Sequence, residues 1–83
     1  MEDDILSYMM GSRYRLDVLL ALYQKKMTVN QMSDFLHINT SYLYTVLSGL
    51  KKRKLVTHND VARHQIYRIT DDGIKVLREI GVL

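Results

Sequence analysis

The sequence predicts a mainly helical α+β fold: helices first, a two-stranded β-hairpin near the end, and a short helix after it. Three observations carry this. Through most of residues 4–53, apolar residues recur at three- and four-residue steps, the period of an amphipathic helix. Between Leu55 and Ile69 the pattern changes to short alternating runs around turn formers, as in a hairpin. Thr70 then restarts a helix, with Asp71 and Asp72 in its first turn.

Eighty-three residues make one domain, 1–83, with a single modest core. It divides into an N-terminal helix over 1–11, a core over 12–70 and a C-terminal helix over 71–83. An apolar fraction of 47% and a charged fraction of 25% suit a folded soluble chain. The longest apolar run, Val18–Tyr23, is far short of a membrane span. Met1 is followed by three acids where a secretory signal needs basic residues, so a cytoplasmic protein is expected. With no cysteine, disulfides, thiolate metal sites and thiol catalysis are excluded. The net charge is +3, but six cations against Asp60 alone give residues 41–68 a balance of +5. The remainder sums to −2, an asymmetry that suits a polyanionic partner.

Taken in order, Ile5, Leu6, Met9 and Met10 follow the opening acids and form a short amphipathic helix. Gly11 can end it, and Ser12 can cap the next. The second helix, about 13–25, carries Leu16, Leu19, Leu20 and Tyr23 as its core stripe, with Tyr14, Val18 and Leu22 on the other side. A helix apolar on two faces is either central in its domain or covered by a partner. Thr28 and Gln31 form a capping box for a third helix, whose apolar side is Met32, Phe35 and Leu36. His37-Ile38-Asn39-Thr40 leaves room only for a sharp turn into a fourth helix, about 40–53. Leu55–His58 and Arg63–Ile69 read as strands, with Asn59-Asp60 as turn formers. Ile74, Leu77 and Ile80 line the last helix. Two helices joined by a tight turn and followed by a basic hairpin make a winged helix-turn-helix with short terminal helices.

The fourth helix bears the chemistry. With Leu47 at zero on a wheel of about 100° per residue, Leu43, Val46 and Leu50 fall on one side. Ser41, Thr45, Ser48 and Lys52 cluster opposite, with Tyr42 and Gly49 beside them. The hydroxyls can donate or accept at base edges in a major groove, and tyrosine reaches phosphates or thymine methyls. No acid lies between Thr40 and Lys54, and the run Lys51–Lys54 can neutralise phosphates. The alternative is a solvated helix that happens to be rich in hydroxyls and basic at its C-terminus, where cations also suit the dipole; the hairpin that follows tells against it.

These residues resemble the MarR/ArsR-type winged-helix transcriptional regulators from Ser12 to Leu77. "TVNQMSDFLHINTSYLYTVLSGLKKRKLV" has the expected apolar positions at Met32, Leu36, Ile38, Leu43, Leu47, Leu50, Leu55 and Val56, with Ser33 as the small packing residue. "RHQIYRITDDGIKVL" matches the wing and tail spacing at Arg63, Tyr67, Thr70, Gly73 and Leu77. His37 and Lys54 stand where the family usually has glycine. The chain is similar to a minimal regulator of archaeal or mobile-element type, and lacks the long terminal helices of full MarR proteins. The resemblance therefore implies DNA binding but no small-molecule effector.

The expected function is sequence-specific recognition of double-stranded DNA, with the alternative of a winged helix serving as a protein-interaction module. Ser41, Tyr42, Thr45 and Ser48 are assigned to base reading. Thr40, Tyr44, Lys51, Lys52, Arg53 and Lys54 are assigned to the DNA backbone. Arg63 and His64, on a wing of about 58–64, are assigned to the adjacent minor groove. Gly49, costly inside a helix, either admits a close DNA backbone or marks a bend. His58, Asp60 and His64 bracket the hairpin, but three mixed ligands without a thiolate make no convincing metal site. No nucleophile–base spacing, phosphate loop or enclosed carboxylate pair is present, so neither catalysis nor a cofactor is expected. The second stripe of the 13–25 helix and the apolar termini predict a homodimer through Ile5, Met9, Val18, Leu22, Leu77 and Ile80.

Overall fold

The computed structural model describes residues 3–83. Its elements are α1 (Asp3–Met10), α2 (Arg13–Gln24), α3 (Val29–Leu36), α4 (Thr40–Lys52), β1 (Val56–Val61), β2 (His64–Ile69) and α5 (Asp71–Ile80). This is a winged helix-turn-helix, the fold class that the sequence predicts. Among the described residues, no helix is long and apolar enough to cross a membrane.

Local signals act where they are strongest. The Thr28 hydroxyl accepts from the Gln31 amide at 3.2 Å, and the Gln31 side chain accepts from the Thr28 amide at 2.8 Å. Asn39 Oδ1 caps α4 by accepting from the Ser41 amide at 2.7 Å. Thr70 Oγ1 accepts from the Gly73 amide at 3.0 Å at the start of α5. Ser12 occupies the cap position of α2, but its side chain makes no capping hydrogen bond. His37 ends α3 in the left-handed region at φ 56°, a conformation His enters more readily than most residues. Across that turn the Ser33 hydroxyl donates to the Ile38 carbonyl at 2.6 Å, tying α3 to the entry of α4. Lys54, the other residue in a glycine position, is also left-handed, at φ 62°.

The core is organised on α2, which packs against α1, α3, α4, α5 and β2. Val18, Leu19, Ala21 and Leu22 are its buried residues, whereas Leu16 and Leu20 are half-buried and Tyr23 is exposed. The core therefore draws on both expected stripes: Leu19 from the first and Val18 and Leu22 from the second are buried, while Tyr14 and Tyr23 stay exposed. Of the residues assigned to a dimer interface, Met9, Val18, Leu22 and Leu77 lie inside the protomer's own core. The reason is centrality: five other elements pack on α2 and enclose Val18 and Leu22. Ile5 and Ile80 remain half-buried. Phe35 is another reversal, because α3 packs through Val29 and Met32 and leaves the phenyl ring 52% exposed. On α5 the core position is Val76 together with Leu77, and Ile74 is half-buried.

The hairpin is longer than expected, and its turn lies elsewhere. Val61 pairs with His64, so the two-residue turn is Ala62-Arg63, while Asn59 and Asp60 pair with Ile66 and Gln65 inside the ladder. Both turn residues have positive φ, 47° and 73°, as the right-handed twist of the strands requires of a two-residue loop. Pairing along six consecutive positions outweighs the local preference of Asn-Asp for a turn. Met27 adds an isolated antiparallel bridge, exchanging hydrogen bonds of 3.0 and 2.8 Å with Tyr67. The base of the wing is thus held on both sides. Gly73 lets α5 lie against this base: a Cβ there would strike the Leu55 carbonyl oxygen and the Ile69 side chain.

Candidate nucleic-acid interface

The apolar stripe of α4, Leu43, Val46, Leu47 and Leu50, is buried. Ser41, Tyr42, Tyr44, Thr45, Ser48, Lys51 and Lys52 are exposed, and Thr40 is half-buried. All four residues assigned to base reading therefore share one solvent-facing surface. Thr45 Oγ1 makes a long back-bond to the Ser41 carbonyl, 3.4 Å, which leaves its lone pairs available. Tyr42 is steadied by Tyr14 of α2, edge to face with centroids 5.3 Å apart. Nothing in the sequence marks that pair, since its partners come from different helices.

The wing stands beside α4. A cleft of about 510 Å³ separates them, lined by Val29 and Asn30 of α3, Tyr44 of α4, and Asp60, Arg63, His64 and Gln65 of the hairpin. Arg63 and His64 are exposed at its tip. Tyr67 anchors the wing from within, and its phenol pKa is raised, chiefly by burial and then by the charges of Tyr44 and Asp60.

The basic run divides. Lys52 and Lys54 are exposed, and Lys51 lies 2.8 Å from a ring nitrogen of His58 on β1. Arg53 is drawn back into the protein, which corrects its assignment to the DNA backbone. Its guanidinium sits 3.4 Å over the Tyr8 ring of α1 and donates to the Gly49 carbonyl at 3.1 Å. Arg15 covers the same ring at 3.7 Å. This sandwich explains Gly49, because any Cβ there would meet the Tyr8 phenol oxygen. The glycine admits a tyrosine of its own chain, neither a DNA backbone nor a bend.

The fold agrees with the comparisons. The homodimeric winged helix-turn-helix DNA-binding domain of Mb0332 from Mycobacterium bovis superposes with a TM-score of 0.82 at 23% identity, covering 93% of this chain and 72% of that one. The transcriptional regulator HlyU of Vibrio vulnificus gives 0.75 at 25% identity, over 93% and 84%. A double mutant of Lactococcus lactis ZitR gives 0.78 at 16% identity, over 86% and 51%, so the chain spans about half the length of ZitR. No curated protein sequence gives a significant match. A model of the transcriptional regulator PadR-like family matches residues 21–79, a stretch that runs from the middle of α2 through the helix-turn-helix and wing into α5. The resemblance to MarR/ArsR-type regulators holds for fold and regulator class, and the family match narrows it: the chain belongs to the PadR-like family of transcriptional regulators, which are not enzymes.

Proposed function

We propose that this regulator binds double-stranded DNA as a homodimer, with α4 in the major groove and the Ala62-Arg63 turn at the adjacent minor groove. The observation that carries the reading is the face of α4: a continuous exposed surface of hydroxyls and phenols, without an acid, backed by a fully buried stripe. Ser41, Tyr42, Thr45 and Ser48 read bases in this arrangement. Thr40, Tyr44, Lys51, Lys52 and Lys54 meet phosphates, and Arg63 with His64 acts at the flanks.

The homodimeric Mb0332 domain supports a two-fold assembly. Since Val18 and Leu22 serve the protomer's core, the contact would run through the half-buried Ile5 and Ile80 with exposed Met10, Val82 and Leu83. Two recognition helices would then face half-sites roughly 34 Å apart on a pseudo-palindromic site. A cytoplasmic location follows from this role rather than from any feature of the chain.

Fluorescence anisotropy with duplex selected from a random pool tests the proposal. Log K should fall with log salt at a slope of about −3.5 to −5.5 per protomer, for four to six neutralised phosphates. Lys52→Ala should flatten that slope by about one unit, and Thr45→Ala should cost about 1–3 kcal/mol on the selected site alone. A slope of zero refutes DNA binding; equal losses on selected and random duplex refute the reading face.

A further inference from the structure

His58 joins the wing to the recognition helix. It lies on β1, opposite Tyr67 in the strand register, with 17% of its side chain exposed and its ring 5.0 Å from that of Tyr67. Nε2 is 2.8 Å from Nζ of Lys51 on α4. Nδ1 is buried without a hydrogen-bond partner, and the Asp60 carboxylate stands 3.5 Å from it.

An ammonium has three donors and no acceptor, so Lys51 must donate and Nε2 must present its lone pair. The single proton of the neutral ring then sits on Nδ1, facing Asp60. The groups set against the ring are Lys51 from α4, Asp60 from its own strand and Tyr67 from β2, with Tyr44 of α4 acting on Tyr67 in turn. A second proton on Nε2 would place two cations face to face at 2.8 Å, and the bond to Lys51 must break.

We propose that His58 is a positioning residue of the DNA interface: neutral, it holds the Lys51 ammonium at the junction of helix and wing, and protonated, it releases that ammonium to a backbone phosphate. The inference rests on the DNA-binding reading above. Protonation frees one cation and adds another beside Asp60, and both changes favour a polyanion. By linkage, a duplex that favours the protonated form takes up a proton at His58, so affinity rises as pH falls.

Anisotropy titrations of the full chain at constant salt, at about pH 8 and about pH 6, should show the unaltered protein binding duplex about three- to tenfold more tightly in acid. His58→Gln keeps an acceptor oxygen for Lys51 but cannot gain a charge, so most of that increase should vanish. If at least half of it survives in His58→Gln, the proposal is overturned. Long-range proton–nitrogen correlation spectra of the free protein give an independent readout, in which His58 should be the Nδ1–H tautomer. An Nε2–H tautomer overturns the proposal even if DNA binds. Absence of duplex binding at both pH values would instead overturn the DNA reading and this proposal with it.

Discussion

Gly49→Ala sets two forces of similar size against each other. Alanine is favoured over glycine in a helix interior by about 1 kcal/mol, so helix propensity alone makes the substitution stabilising. The packing of α1 reverses the sign. An added Cβ meets the Tyr8 phenol oxygen, and that ring cannot swing aside without leaving the guanidiniums of Arg15, 3.7 Å away, and Arg53, 3.4 Å away. Each such contact contributes roughly 0.5–1 kcal/mol at a partly exposed site, so about 1–2 kcal/mol is at stake. The Arg53 bond to the Gly49 carbonyl, 3.1 Å, would be disturbed as well, adding about 0.5–1 kcal/mol. The net expectation is a loss of about 1 kcal/mol, or about 4–8 °C in Tm for a domain of this size. Urea and thermal melts followed by circular dichroism would measure it in the single variants and in a double-mutant cycle with Tyr8→Ala. Once Tyr8 is truncated only Arg53 Nη1 remains near the new Cβ, at 3.8 Å in ordinary contact, and Gly49→Ala should stabilise by about 1 kcal/mol, a coupling of about 2 kcal/mol. Stabilisation of equal size in both backgrounds would refute the seat of Tyr8 over the glycine.

Val18→Asp would bury a carboxylate at a position with no exposure, and should abolish the folded far-ultraviolet spectrum rather than release a folded monomer. A well-folded variant of either oligomeric state would refute the central placement of α2. Arg63 holds φ 73° at the wing tip, so Arg63→Gly should raise stability by roughly 1 kcal/mol in melts. The same variant should weaken duplex binding most where A·T pairs narrow the flanking minor groove. The raised pKa of Tyr67 makes stability alkali-sensitive: the unfolded chain ionises first, near pH 10, so this contribution is complete below about pH 10 and is lost as pH rises towards the folded value. Tyr67→Phe should flatten the fall in Tm between about pH 9 and 11, and an unchanged fall would place the alkaline sensitivity elsewhere.

The features legible from sequence are those whose physics is local. Thr28 with Gln31 and Thr70 with its two acids announce helix starts because a cap is satisfied within three residues. One face of α4 is unambiguous, since its apolar stripe is single and its complement carries no acid. The sharp turn at His37 follows from the length of the gap between two helices, and its left-handed backbone matches the glycine position that the family resemblance assigns there. Together these determine the helix-turn-helix, the start of the last helix and the exposed face of α4.

What only the tertiary structure decided are the choices that the chain leaves locally balanced. Both stripes of α2 are apolar, and neighbours contributed from five other elements select Val18 and Leu22 for the core over Leu16 and Tyr23. Asn59-Asp60 and Ala62-Arg63 compete for the turn, and ladder pairing from Val56 to Val61 settles it against propensity. Gly49, Arg53 and His58 owe their roles to residues 41, 45 and 7 positions away, Tyr8, Tyr8 again and Lys51. Periodicity reports the face of a helix, whereas the identity of what covers that face is set by packing between elements, which a local pattern does not record.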